Sequence, residues 1–124
     1  MTKLLAVFIG GGMGSILRYG ISQWLGTHAS GFPIGTFCAN VLSCVVLGWS
    51  WIYFSEQINL DPAYKLLILV GFCGGFSTFS TFSLETFRLL QNGQISVALL
   101  YVVFSILMCV LTLFVIAKMM KESL

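Results

Sequence analysis

Long stretches without any charged residue constrain this chain more than any other feature of its sequence. Six Lys and Arg residues and four Asp and Glu residues are all that 124 positions hold, so that 8% of the chain is charged. A soluble domain carries about 25% charged residues. So few charges cannot cover the surface of a globule in water, and a net charge of +2 gives little attraction for nucleic acid. The sequence therefore excludes a soluble, a disordered or a nucleic-acid-binding protein and predicts an integral membrane protein.

The apolar stretches are long enough to cross a bilayer, which requires about 20 apolar residues per helix. Four segments qualify, at residues 4–25 (interrupted by Arg18), 34–54, 66–84 and 95–117. We predict an all-α membrane protein in which residues 1–124 form a single four-span domain with short loops. A cleaved signal peptide is the alternative for the first segment, because Lys3 precedes a short apolar run. That run continues through several glycines to Leu25 without a small-residue cleavage site, which favours a permanent helix.

The orientation of the four spans is weakly specified. With an even number of spans, one side of the membrane carries Lys3, Lys65, Lys118 and Lys121, and the other side carries Arg18 and Arg88. Because positive charge favours the cytoplasmic side, this small bias mildly favours cytoplasmic termini. It also permits insertion in both orientations.

The residues that usually carry catalysis or metal binding are sparse. The four cysteines, Cys38, Cys44, Cys73 and Cys109, have no zinc-binding spacing, and His28 is the only histidine. The sequence thus predicts neither a metal centre built from side chains nor an enzyme.

Small and polar residues inside the first two spans indicate helix packing or function. Gly10 and Gly14 form a GxxxG motif, which favours close helix packing over a phosphate-binding loop. Arg18 lies eight residues past Gly10, about two turns along the helix, and either anchors the helix at the membrane surface or attracts anions. In the second span, Asn40 shares a helix face with Thr36. Its amide either joins two helices or donates a hydrogen bond to a permeating anion.

The third span contains the most unusual pattern, a repeat of Phe-Ser-Thr that begins at Phe76. At 100° per residue, the three rings of Phe76, Phe79 and Phe82 spread over about 120° of one face, beside a spiral of hydroxyls. Gly74 and Gly75 precede the repeat and predict a break that exposes backbone carbonyls at membrane depth. The alternative is ordinary aromatic packing, with the hydroxyls bonded to their own helix.

These motifs resemble the Fluc (CrcB-type) fluoride channel family over the whole chain. The most specific match is Gly71-x-x-Gly74-Gly75-Phe76-Ser77-Thr78-Phe79-Ser80-Thr81-Phe82-Ser83. Two further matches are Asn40, which follows Gly35-Thr36 in the second span, and the run from Gly10 to Arg18 in the first span. The resemblance implies an antiparallel, dual-topology homodimer in the bacterial inner membrane. Such a dimer contains two pores that passively export fluoride and so lower its toxicity.

The resemblance also implies the residues of the site. The expected fluoride pore comprises Asn40, Phe79, Phe82, Ser80, Thr81, Tyr101 and Ser105. Arg18 and Glu85 match residues of the vestibule. The backbone carbonyls of Gly74 and Ser77 match those that hold a structural sodium ion at the dimer centre, although the family usually has Thr at position 77. Met108 and Cys109 stand where relatives carry other small or polar residues.

Elementary electrostatics is consistent with this interpretation. Moving a carboxylate-sized ion into a low-dielectric medium costs of order 20 kcal/mol, and fluoride is smaller. Neutral amide, hydroxyl and ring-edge donors can replace its water, and moderate binding at several sites permits conduction.

Two rival functions make different demands on the sequence. A proton-coupled exporter of small cations requires a membrane-embedded carboxylate, yet the first two spans contain no Asp or Glu, and Glu85 lies at the end of the third. An accessory subunit that only packs against a larger complex would have no use for the Phe-Ser-Thr repeat.

Overall fold

The computed structural model describes residues 2–26, 31–57 and 59–122. Over these ranges the chain is helical, without strands, and four helical regions are long and apolar enough to cross a membrane. The first two spans are α1 (Thr2–Leu25) and α2 (Ile34–Glu56). The third span (Pro62–Gln91) contains several helical segments, so the helix that forms the fourth span is α6 (Ile95–Glu122). The predicted all-α architecture with four spans is confirmed. His28, the single histidine of the sequence, lies outside the described residues.

The outer surface of this bundle is strongly apolar. Phe8 and Trp24 on α1 are 78% and 84% exposed, and large aliphatic side chains of α6 are exposed along much of its length. Such a surface is costly in water and favourable against lipid chains. The fold therefore agrees with the membrane location that the charge pattern predicts.

The third span is divided into several segments. It begins with a short helix, α3 (Pro62–Lys65), continues as a π-helical segment (Leu66–Phe72) and ends its first half with α4 (Cys73–Phe76). Ser77 and Thr78 are extended, with ψ angles of 158° and 120°, and α5 (Phe79–Gln91) follows. The broken third helix is therefore confirmed.

The position of the break differs from the prediction. We expected the helix to end at Gly74 and Gly75, but both glycines belong to α4, and the backbone leaves the helix at Ser77. Gly75 stays helical because its missing side chain lets α4 lie against the backbone of α1, where a Cβ would collide with the Gly11 carbonyl. Gly75 thus serves helix packing, whereas a Cβ on Gly74 would meet none of the described atoms within 4 Å. Other residues produce the break.

The predicted close packing of the GxxxG motif is confirmed. A Cβ on Gly10 would collide with the Leu67 carbonyl, and one on Gly14 would collide with the Phe72 carbonyl. The backbones of α1 and the third span therefore touch directly, as small residues allow in membranes. This contact fixes the position of the break relative to α1.

The fourth helix packs against both α2 and α5. Gly48 of α2 faces the Leu113 and Ile116 side chains of α6. The α5–α6 turn is tight, with Gly93 at a φ of +75°, and it places Leu89 and Tyr101 in a common buried cluster. Because α5 extends to Gln91, the last connection is shorter than the sequence suggested.

Candidate functional site

Asn40 of α2 holds the break in the third span. Its Oδ1 accepts a hydrogen bond from the Thr78 backbone N–H at 2.8 Å, while its Nδ2 lies 3.5 Å from the Thr78 carbonyl oxygen. An N–H group only donates, so the oxygen of the Asn40 amide must face Thr78, and this fixes the orientation of the amide. The Nδ2 contact is at the long limit for a hydrogen bond. The NH₂ group therefore keeps donor capacity for another acceptor.

Thr78 begins the second half of the span by capping α5. Its Oγ1 accepts from the Thr81 backbone N–H at 3.3 Å and donates to the Thr81 Oγ1 at 3.1 Å. The Ser80 hydroxyl lies 3.3 Å from the same atom. Threonine is a favoured N-cap because its oxygen replaces an acceptor that the first turn lacks. Two predicted pore hydroxyls, those of Ser80 and Thr81, are thus joined through a residue that received no role in the sequence analysis.

These two interactions release two backbone carbonyls. In a continuous helix the Thr78 N–H would bond to the Gly74 carbonyl and the Thr81 N–H to the Ser77 carbonyl. Both N–H groups instead donate to side chains, to the Asn40 Oδ1 and the Thr78 Oγ1. The Gly74 and Ser77 carbonyls, which the sequence analysis singled out, therefore lack their helical donors. Gly74 is also exposed on the surface of the chain.

Side chains from other helices donate to two neighbouring carbonyls of the break, of which the Cys73 carbonyl also accepts from the Ser77 N–H and Oγ, both at 2.9 Å. The Ser43 hydroxyl of α2 donates to the Cys73 carbonyl at 2.9 Å. On the opposite side, Arg18 Nε donates to the Gly75 carbonyl at 3.2 Å, with the Ser15 hydroxyl at 3.4 Å from the same oxygen. Arg18 thus places its positive charge at the negative, carbonyl end of the first half-helix. One of the five N–H donors of its guanidinium is used in this bond.

A groove of about 340 Å³ runs between α2, α6 and the break. It brings together four of the predicted pore residues, Asn40, Phe79, Phe82 and Ser105. Its remaining lining residues are Cys44, Ser77, Thr78, Ile106, Cys109 and Val110.

Ser105 is the most unusual member of the groove. Its side chain is only 5% exposed, and its hydroxyl has no hydrogen-bond partner among the described residues. Burying an unpaired hydroxyl costs about 1–3 kcal/mol. A donor held in such a position is suited to a ligand that enters the groove.

The two phenylalanines of the groove differ in exposure. Phe79 is 80% exposed in the single chain, whereas Phe82 is partly buried. Their ring centroids are 5.9 Å apart, and the Phe82 ring also packs on Tyr101 at 4.9 Å. The edge of an aromatic ring carries partial positive charge, so these rings add weak, neutral anion-binding groups.

Tyr101 and Glu85 form a separate cluster behind Phe82. Tyr101 is fully buried, and its hydroxyl donates to Glu85 Oε2 at 2.8 Å. The Thr36 hydroxyl donates to the other carboxylate oxygen, Oε1, at 2.8 Å. Both oxygens of Glu85 are therefore bound by hydroxyls, and Tyr101 contacts Phe82, one of the residues that line the groove.

Sequence reasoning missed three residues that shape this site. Thr78 could have been found as a threonine placed three residues before Thr81 at the start of a helix, which is an N-cap pattern. Cys44 and Cys109 follow Asn40 and Ser105 by four residues each. That spacing places them on the same helix faces, and it was available from the sequence.

Comparisons with known proteins identify the family to which this chain is similar. The model of the family described as "CrcB-like protein, Camphor Resistance (CrcB)" matches residues 5–117. A protein of Serratia proteamaculans (strain 568) named "Fluoride-specific ion channel FluC" is 50% identical over 99 residues, which cover 80% of this chain and 78% of that protein. A protein of the same name from Escherichia fergusonii is 46% identical over 104 residues, covering 84% and 82%. One from Escherichia coli O17:K52:H18 has the same identity and coverage.

Proposed function

The chain belongs to the CrcB-like (Fluc) family, and we propose that it is a fluoride-selective channel that passively exports fluoride and thereby lowers its toxicity. Its relatives are named as fluoride-specific ion channels rather than enzymes. Together with the four apolar helices, the bacterial relatives indicate a multi-pass protein of the inner membrane. Fluoride resistance is the cellular consequence of such a channel.

The observation that carries this proposal is the unpartnered hydroxyl of Ser105 in the groove. It is buried and lines the groove together with Asn40, whose NH₂ group retains donor capacity. Both donors are neutral. They can replace part of the water around a small anion without binding it as tightly as a cationic side chain would, which conduction requires.

The remaining pore residues extend this donor set. The rings of Phe79 and Phe82 line the groove and would present their edges to fluoride. The hydroxyls of Ser80 and Thr81 lie beside them at the start of α5. Tyr101 supports the Phe82 ring from behind. We assign these residues to the pore.

Two charged residues outside the groove lining, Arg18 and Glu85, form the proposed vestibule. Arg18 would attract fluoride by its positive charge while its Nε remains bound to the Gly75 carbonyl. Glu85 would act through the hydroxyls that it orders, since Thr36 and Tyr101 both donate to its carboxylate. A carboxylate bound on both oxygens is poorly suited to proton-coupled cation exchange, so the exporter hypothesis is not favoured.

A second copy of the chain is expected to complete each pore. The groove lies at the surface of a single protomer, and Phe79 exposes 80% of its area there. We propose the antiparallel homodimer with two pores. The weak charge bias of the sequence, which permits both orientations, supports this arrangement.

The freed carbonyls support a structural sodium ion at the dimer centre. Backbone oxygens at broken membrane helices suit a hard monovalent cation, and the Gly74 and Ser77 carbonyls have lost their helical donors. When bound, sodium would neutralise the carbonyl dipoles of both copies. The ligands are backbone atoms, so Ser77 in place of the usual Thr preserves the site.

Two buried serines provide a matched test of the channel. Ser105→Ala removes the unpartnered hydroxyl, whereas Ser43→Ala removes one that is bonded to the Cys73 carbonyl. Purified variants are reconstituted in liposomes loaded with fluoride or chloride, and release is followed with ion-selective electrodes. We expect wild-type protein to release fluoride and not chloride. Ser105→Ala should slow fluoride release while leaving thermal stability unchanged or raised, and Ser43→Ala should lower stability.

The result that would contradict the proposal is equally specific. Wild-type dimers that release no fluoride would refute the channel. Normal fluoride release by Ser105→Ala would show that the buried Ser105 hydroxyl is not part of the pore and has no role in conduction.

A further inference from the structure

Two thiols lie together on the wall of the groove. Cys44 of α2 and Cys109 of α6 both line it, and the two thiols are within interaction range of each other. Neither forms a disulfide. Each follows a proposed pore residue by four positions, Cys44 after Asn40 and Cys109 after Ser105, so the thiol pair lies one helical turn further along the same two helix faces.

We propose that Cys44 and Cys109 form a two-ligand binding site for soft metal ions of the kind that accept linear coordination by two sulfurs, such as Hg²⁺, Ag⁺ or Cu⁺. Thiolate ligands select such ions over hard cations. Across the described ranges, no group of three or more Cys, His, Asp or Glu side chains comes together. Two ligands are too few for the tetrahedral site that zinc prefers.

The chemistry of binding is a simple exchange. Hg²⁺ forms two mercury–sulfur bonds, one to each cysteine, while both S–H bonds break and two protons pass to water. No electron is transferred. The product is a neutral bridge that links α2 to α6 beside the groove.

Occupation of this site should block conduction. The bridge would lie about one helical turn, roughly 5.4 Å, from the proposed anion donors Asn40 and Ser105. It would fill part of a groove whose whole volume is about 340 Å³ and would hold its two walls at a fixed separation. The block of conduction rests on the proposed channel function, whereas metal binding to the two thiols does not.

Two double variants separate the pair from the other cysteines. Cys38→Ser with Cys73→Ser keeps only the thiol pair, and Cys44→Ser with Cys109→Ser removes it. Each full-length protein in liposomes is treated with Hg²⁺ and washed with a monothiol competitor such as 2-mercaptoethanol. Two thiols in one site should retain the ion against a single-thiol competitor, because the second bond forms intramolecularly.

Bound mercury is then counted by intact mass, and fluoride release is compared with the same variant before treatment. We expect one mercury per chain and loss of most fluoride release when only the pair is present. The variant without the pair should retain no mercury and keep its own initial release rate. Retention of mercury by that variant, or of two mercury ions by the chain with only the pair, would overturn the site.

The two proposals fail in distinguishable ways. If untreated protein releases no fluoride, the channel function fails, and the mercury count still decides the thiol site. If mercury binds the pair but fluoride release is unchanged, the inferred block of the groove is refuted.

Discussion

Replacing Asn40 with Asp separates its structural role from its role in conduction. The Asn40 Oδ1 accepts the Thr78 N–H at 2.8 Å, and a carboxylate oxygen can make the same bond. The NH₂ group, only weakly engaged at 3.5 Å from the Thr78 carbonyl, becomes a second oxygen. Asn40→Asp therefore keeps the acceptor that holds the break and removes the donor that would face fluoride.

The magnitude of the expected effect is large. A carboxylate about 4 Å from a permeating anion repels it by about 4 kcal/mol at an effective dielectric constant of about 20. Each 1.4 kcal/mol is about a factor of ten in rate. If the introduced carboxylate is ionised, a barrier increase of this size slows fluoride release by about a thousandfold, measured with a fluoride electrode on reconstituted liposomes. The assembled dimer, measured by size-exclusion chromatography, should survive.

Asn40→Ala is the matched control, because it removes both groups. The partly buried Thr78 N–H then lacks its acceptor, which costs about 1–3 kcal/mol of stability, so this variant should lose both conduction and thermal stability. Wild-type fluoride release by a folded Asn40→Asp dimer would refute the reasoning that the amide NH₂ serves the anion.

Three further predictions concern the rings, the glycines and the proposed cation. Phe82→Ile should reduce fluoride release strongly in an intact dimer. It should also lower the free energy of unfolding by about 1 kcal/mol, because the ring pair with Tyr101 is lost. Unchanged fluoride release would show that the Phe82 ring does not belong to the pore. Gly14→Ala should prevent stable folding, because its Cβ would collide with the Phe72 carbonyl. Gly12→Ala, whose Cβ meets none of the described atoms within 4 Å, should match the wild type in melting temperature, and equal effects of the two would contradict the packing argument. Replacing sodium with a large organic cation should weaken dimer assembly or conduction, and a stable dimer that conducts equally well without sodium would argue against the central site.

The number and character of the spans could be predicted because they depend on local composition. Ten charges leave four long apolar stretches, and each becomes a helical span in the fold. The position of the break depends instead on contacts between distant residues. Gly74 and Gly75 look like a helix break when read locally, but Gly75 is needed for contact with α1, and the break forms where Asn40, 38 residues before Thr78, accepts its N–H.

The candidate site also combines features that local sequence predicts with features that depend on contacts between distant residues. The Phe-Ser-Thr repeat and Asn40 could be selected from the sequence, and the fold brings Asn40, Phe79, Phe82 and Ser105 into one groove. The partners of the charged residues could not be predicted, since they belong to other helices. Arg18 bonds to the Gly75 carbonyl, and Glu85 is bound by hydroxyls from α2 and α6.

The break links the two proposed ion sites through one side chain. By accepting the Thr78 N–H, Asn40 fixes the orientation of its own amide and removes the helical donor of the Gly74 carbonyl. The proposed anion donor and one proposed sodium ligand thus arise from the same hydrogen bond. Asn40→Ala, which loses that bond, should therefore impair both fluoride release and the dependence of assembly on sodium. Asn40→Asp preserves the bond and should slow fluoride release alone. If assembly of the two variants depended equally on sodium, this hydrogen bond would not be the origin of the cation site.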